Sequence, residues 1–145
     1  MCSSDLAISQ RSVFQGSPDH TAMACDVELV SSSQVRPWAD LLGEAGLGLA
    51  QLIAQETGDS LEVAATRIWC ARECLKKAGL GFHNPLSLQR TEQPLVWLQS
   101  SDVPSLEKRR TSLIATWVLT TREIVDPIVI AILTESEALQ YPTPD

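Results

Sequence analysis

Asp126-Pro127-Ile128-Val129-Ile130-Ala131-Ile132-Leu133 is the stretch on which the fold turns. Proline disfavours helical geometry in the residue before it and is welcome in a first helical turn, so Asp126-Pro127 can end one helix and begin the next. Ile128, Ile132 and Leu139 then share the inner side of a helix. The β-branched run Ile128 to Ile132 also suits a buried strand, because branched side chains are restricted in helices and pack well on a pleated surface. The helix is the expectation, and a strand over residues 128–133 is its competitor.

Immediately upstream, Asp102-Val103-Pro104-Ser105 reads as the opening of a long helix. Leu106, Arg110, Leu113, Trp117, Thr120 or Thr121 and Ile124 follow one line along it, and Ile114 and Val118 widen the apolar face. Between Gly81 and Asp102 the pattern is ambiguous. Asn84-Pro85 can cap a short helical turn, whereas Leu86 to Gln89 and Leu95 to Gln99 can pair as a hairpin around Arg90 to Pro94.

The best-specified element lies over Ser60 to Ala78. Gly58 makes the turn, Asp59 can cap, and Glu62 sits three residues later to reach back. Leu61, Ala64, Ala65, Ile68, Ala71 and Leu75 form the inner face. Arg72, Lys76 and Lys77 oppose the negative end of the dipole, and Gly79 supplies a left-handed stop. An earlier helix starts near Pro37, with Trp38, Leu41, Leu42, Ala45, Leu49, Leu52 and Ile53 as its stripe. Gly43, Gly46 and Gly48 interrupt that stripe and predict a bend around Gly46 to Gly48, or close approach of a neighbour through the missing side chains.

Residues 1–33 carry the weakest pattern and are expected to be weakly ordered, although Cys25 to Val30 alternates apolar and acidic residues as a short half-buried strand would. Met1-Cys2-Ser3-Ser4-Asp5-Leu6 is what the bases GTG TGC TCT TCC GAT CT of a sequencing adapter encode from a GTG start. The expectation is therefore a natural start missing from this chain, which would be the C-terminal part of something longer. A helical domain over residues 34–140 and a tail over 141–145 complete the division. The predicted fold is mainly α, a small bundle of about four main helices with room for a minor two-stranded element.

Composition places the 145-residue chain in the globular class, with 44% apolar and 20% charged residues. Acidic residues outnumber basic ones over residues 1–33, 34–80 and 81–145 alike, and the net charge is −7. That argues against a nucleic-acid or anionic-membrane footprint, which needs clustered Lys and Arg. The most apolar window, Leu113 to Leu133, is broken by Arg122, Glu123, Asp126 and Pro127, so no membrane span is expected. Setting Cys2 aside, Cys25, Cys70 and Cys74 have no framework spacing and read as reduced thiols in a cytoplasmic compartment.

Few constellations carry chemistry. Cys70 and Cys74 lie one helical turn apart, His83 follows, and Cys25 or His20 would complete four metal ligands. The same spacing is what two small core residues show, so no metal, no other cofactor and no catalytic residue is predicted. Leu49 to Cys74 loosely resembles a helix-turn-helix, with Ala54 and Gly58 at the tight turn. The resemblance implies Thr66, Arg67 and Arg72, with Thr57, facing DNA. Asp59 and Arg67 stand where that pattern wants apolar residues. Trp38, Trp69, Trp97 and Trp117 are mostly core candidates; Trp69 lies off the inner line of its helix and is the predicted partner-binding anchor.

These features predict a non-catalytic protein-interaction or assembly module, with a protein partner or a second copy covering part of its apolar surface. The alternatives are a helix-turn-helix regulator and an unrecognised enzyme or metal-binding protein.

Overall fold

The computed structural model describes residues 23–31, 35–80, 85–101, 110–123 and 126–137. Within them the chain runs β1 (Met23–Leu29), α1 (Trp38–Thr57), α2 (Leu61–Lys77), β2 (Leu86–Glu92), β3 (Leu95–Ser101), β4 (Arg110–Leu119) and β5 (Ile128–Glu137). The strands form one antiparallel sheet in the order β1-β5-β4-β3-β2. Four strands therefore follow one another as a meander, and the first strand in sequence closes against the last.

This architecture corrects the all-α helical bundle that the periodicity predicts: two helices lie on a five-stranded sheet. The helix expected from Asp102 is, over Arg110–Leu119, strand β4, and the helix expected after Pro127 is strand β5. Leu113 and Trp117 are four apart, as are Ile114 and Val118, which mimics a helical stripe. Their neighbours Ala115, Thr116 and Leu119 leave no polar side, and a strand apolar on both faces looks the same. The β-branched and aromatic content of Thr116-Trp117-Val118 and of Ile128 to Ile132 decides for extended backbone.

Strand β1 and the β2–β3 hairpin form where the sequence offered them, the hairpin turning at Gln93-Pro94. A register shift between Leu88 and Arg90 bulges β2.

Helix α2 keeps its predicted bounds within a residue. Its N-cap is Ser60, whose hydroxyl accepts from the Val63 amide at 3.2 Å. Gly79, at φ 78°, stops it, and the Leu80 amide donates to the Leu75 carbonyl at 2.8 Å. Helix α1 breaks at Gly43, φ 75°, three residues before the expected bend. Gly46 is buried beside α2, and a Cβ there would lie 2.8 Å from the Arg72 guanidinium.

Both helices pack on one side of the sheet. Ile53 of α1, Ile68 and Leu75 of α2, Leu98, Ile114 and Leu133 belong to one buried cluster. Among the described residues no helix is long and apolar enough to cross a membrane.

Candidate functional site

Side chains alternate across each strand, so the register divides the sheet into a face under the helices and a face away from them. Ala24, Asp26, Val96, Leu98, Ile114, Thr116, Val129, Ala131 and Leu133 point to the helices and are buried. Cys25, Val27 and Leu29 of β1 point the other way. They are joined by Ile128, Ile130 and Ile132 of β5, Leu113, Ala115, Trp117 and Leu119 of β4, and Leu95 and Trp97 of β3. None of these residues belongs to the helix-side cluster.

The helix-covered face holds a polar network. Arg67, 1% exposed, donates from Nε to Asp59 Oδ2 at 2.9 Å, from Nη1 to the Thr116 carbonyl at 2.8 Å, and from Nη2 to the Pro94 carbonyl at 3.2 Å. Burial lowers the Arg67 pKa and the Asp59 carboxylate opposes that shift. One guanidinium thus fastens α2 to β4 and to the β2–β3 turn. Nearby, Lys77 Nζ donates to Asp26 Oδ1 at 2.7 Å, while Asp26 Oδ2 is buried without a hydrogen-bond partner. Glu28, two residues on and on the same face, has its carboxyl pushed up to about 7 by burial and by the Asp26 charge. Cys70 and Cys74 are buried, their thiols 3.8 Å and 3.5 Å from the Val129 and Ala131 carbonyls. Burial raises both thiol pKa values, so they are protonated and poorly nucleophilic.

The face away from the helices is different in kind. From β1 through β5 and β4 to β3, none of its described side chains is charged; Gln99 and Thr134 are polar at one end. Leu29 and Leu119, at the other end, are 49% and 43% exposed. Charge enters only at the β2 border, where Arg90 sits 5.1 Å over the Trp97 ring and its Nε meets Glu92 Oε1 at 2.7 Å. An apolar centre with a charged rim is the anatomy of a protein interface.

The strand that decides the assignment is β1. Its alternation allows the apolar trio Cys25, Val27, Leu29 or the acidic pair Asp26, Glu28 to face the helices, and a one-residue slip would exchange them. The register with β5 turns the acidic pair inward, against α2, and the apolar trio outward. Burying the Asp26 carboxylate while leaving Leu29 49% exposed is unfavourable for an isolated chain.

The sequence-predicted residues fall elsewhere. Thr66 is buried and donates to the Glu62 carbonyl at 2.6 Å, and Arg67 is committed to its network. Arg72 is half-buried against Gly46, its Nε without a partner. Trp69 is half-buried against the helix-side cluster. Cys70 and Cys74 lie together under α2, whereas Cys25 takes a register position on the opposite face; His20 and His83 fall outside the described residues. Among the described residues no group of three or more His, Cys, Asp or Glu could hold a metal ion.

A cleft of about 230 Å³ between Val30, Val35, Ser60, Glu62, Val63 and Pro127 is smaller than the roughly 300 Å³ at which ligand pockets begin. Its one carboxylate, Glu62, accepts from the Trp38 indole at 2.7 Å.

Trp97 and Trp117, which the sequence reading places with the core candidates, take outward register positions on the face away from the helices. Period two gives no signal for them, because Leu95-Val96-Trp97-Leu98 and Trp117-Val118-Leu119 are apolar at successive positions. No family model, curated protein or solved structure matches the chain.

Proposed function

We propose that this chain is a non-catalytic protein-interaction or assembly module whose working surface is the open face of the sheet. The single observation that carries the reading is the register of β1, which turns Val27 and the 49% exposed Leu29 outward while burying Asp26 and leaving Glu28 half-buried on the helix side. A surface of that composition is stable in water when something covers it. The buried, protonated thiols and the internally committed arginine support a scaffold rather than a reaction centre.

Placing a lysine at matched positions on the two faces tests this. Ile114→Lys, on the helix side, is expected to abolish the cooperative urea transition, since an unpaired charge in a closed core has no compensation. Ile130→Lys, on the open face, is expected to keep the helical circular dichroism and a cooperative transition while losing the ability to associate. Equal unfolding of the two variants would put the open face inside the protein's own core and end the proposal.

A further inference from the structure

We infer that the occupant of the open face is a second copy of this chain, the two sheets packing face to face about a twofold axis. The inference rests on the proposed interaction role and names its partner.

Size is the first argument. Strands about 4.8 Å apart, with outward positions about 7 Å apart along each, make β1, β5, β4 and β3 a patch of roughly 500 Å² in projection. Two such patches close roughly 1,000 Å² before side-chain relief is added, which reaches the lower bound of about 1,000 Å² for a specific interface.

Composition is the second argument. Transient partners meet on surfaces about as polar as the rest of the protein, whereas homodimer interfaces are more apolar and their centres are depleted of charge. The described outward side chains of these four strands carry no charge in a chain of net charge −7. Neutrality there lets two acidic copies approach on a face whose described side chains do not repel.

Shape is the third. Two antiparallel sheets stack about 10 Å apart with their inner side chains interdigitating. Trp97 and Trp117 supply the large rigid anchors, and Ala115, the register partner of Trp97, is 9% exposed beside them. An uncharged apolar face can meet its own copy, and twofold symmetry requires that self-complementarity.

Equilibrium sedimentation of the full chain between about 1 and 100 µM, followed in parallel by tryptophan emission, tests the inference. The expected result is twice the chain mass of 15.8 kDa, with an emission red shift on dilution to monomer that is reduced in Trp97→Phe and Trp117→Phe and kept in Trp38→Phe. These conservative variants keep the readout available even where a charged face fails to fold. A dimer whose mass survives Ile130→Lys would place the contact at a strand edge and overturn the inference. A monomer at all concentrations that binds an apolar dye, lost in Ile130→Lys, overturns the second copy and leaves the interaction face standing. A monomer that binds no dye overturns both, because the face is then covered by the chain itself. A monomer that floats with phosphatidylcholine vesicles assigns the face to lipid and likewise overturns the inference.

Discussion

From β1 to β3, the face of the sheet that lies under two helices is more polar than the face that, among the described residues, lies under none. Asp26, Ser100, Ser112, Thr116 and, from α2, Arg67 are all buried on the covered side. The open side presents Val27, Leu95, Trp97, Trp117, Ile130 and Ile132. In a sheet with one solvated face the alternation runs the opposite way, apolar inward and polar outward. The covered face is closed by directional bonds that fix one helix in one place. In the proposed reading the open face is closed instead by nondirectional apolar area.

Removing the central bond of the covered face gives the largest expected effect. Arg67→Ala strips the Asp59 carboxylate, the Thr116 and Pro94 carbonyls and the Thr116 hydroxyl of their donor. Breaking a buried charge pair from one side costs about 3–5 kcal/mol. Urea unfolding should show that loss equally at low and high protein concentration. A loss below 1 kcal/mol would mean that the network is decorative and the contrast between the faces is one of composition alone.

Next in size is Trp117→Ala on the open face. Truncating an aromatic anchor at the middle of an interface costs about 2–4 kcal/mol of association free energy. The expected signature is a drop in midpoint at high protein concentration that vanishes on dilution, since mass action ties the stability of an associated form to its concentration. A loss independent of concentration would make Trp117 an ordinary core residue and erase the difference between the faces.

The same contrast explains how much of the molecule was legible in the sequence. Helix α2 was read within a residue because independent local signals agree there: the turn at Gly58, a one-sided apolar stripe, basic residues at the end, and Gly79; its cap is Ser60 rather than the expected Asp59, whose carboxylate is held by Arg67. The β2–β3 hairpin was visible as an alternative because Gln93-Pro94 punctuates it. Strands β4 and β5 were lost for a reason specific to this protein. A strand that buries one face shows period two, but Leu113 to Leu119 and Ile128 to Leu133 are apolar on both faces, which removes the polar half of the signal. The working surface was illegible on the same account. Trp69 stands out because it departs from a visible stripe, while Trp97 and Trp117 read as core candidates inside runs that have no stripe to depart from.

A smaller effect follows from the carboxyls of the covered face. Glu28 is held at about 7 against an ordinary 4.5, by burial first and by the Asp26 charge second, with Arg36 pulling it down and Glu73 pushing it up. Between those values the folded chain keeps a proton that the unfolded chain releases. Stability from this group is therefore fully present below pH 4.5 and is lost as pH rises through 7. Thermal unfolding should show the Glu28 contribution as a midpoint lower by about 3 °C at pH 8 than at pH 5, with the slope flattened in Glu28→Gln. The outward positions from β1 to β3 include no carboxylate among the described side chains, so the association constant is expected to stay level over the same range. Parallel pH profiles for folding and association would mean that the two faces are not separate.

The smallest effect probes where the open face ends. Leu29 lies at the last outward position of β1, at the edge of the sheet, and is already 49% exposed. Its register partner Ile128 is half-buried, so the step from centre to rim falls across that single pair. Rim residues of an interface contribute little, because water reaches them in the associated state as well. Leu29→Thr introduces a β-branched side chain that suits a strand and removes apolar area, and a loss of about 0.5 kcal/mol or less in association is expected. Val27→Thr, two residues nearer the centre on the same strand and the same face, should cost several times more. If the two substitutions cost the same, the apolar trio acts through β1 pairing rather than through contact with a partner, and the boundary drawn here moves to β5.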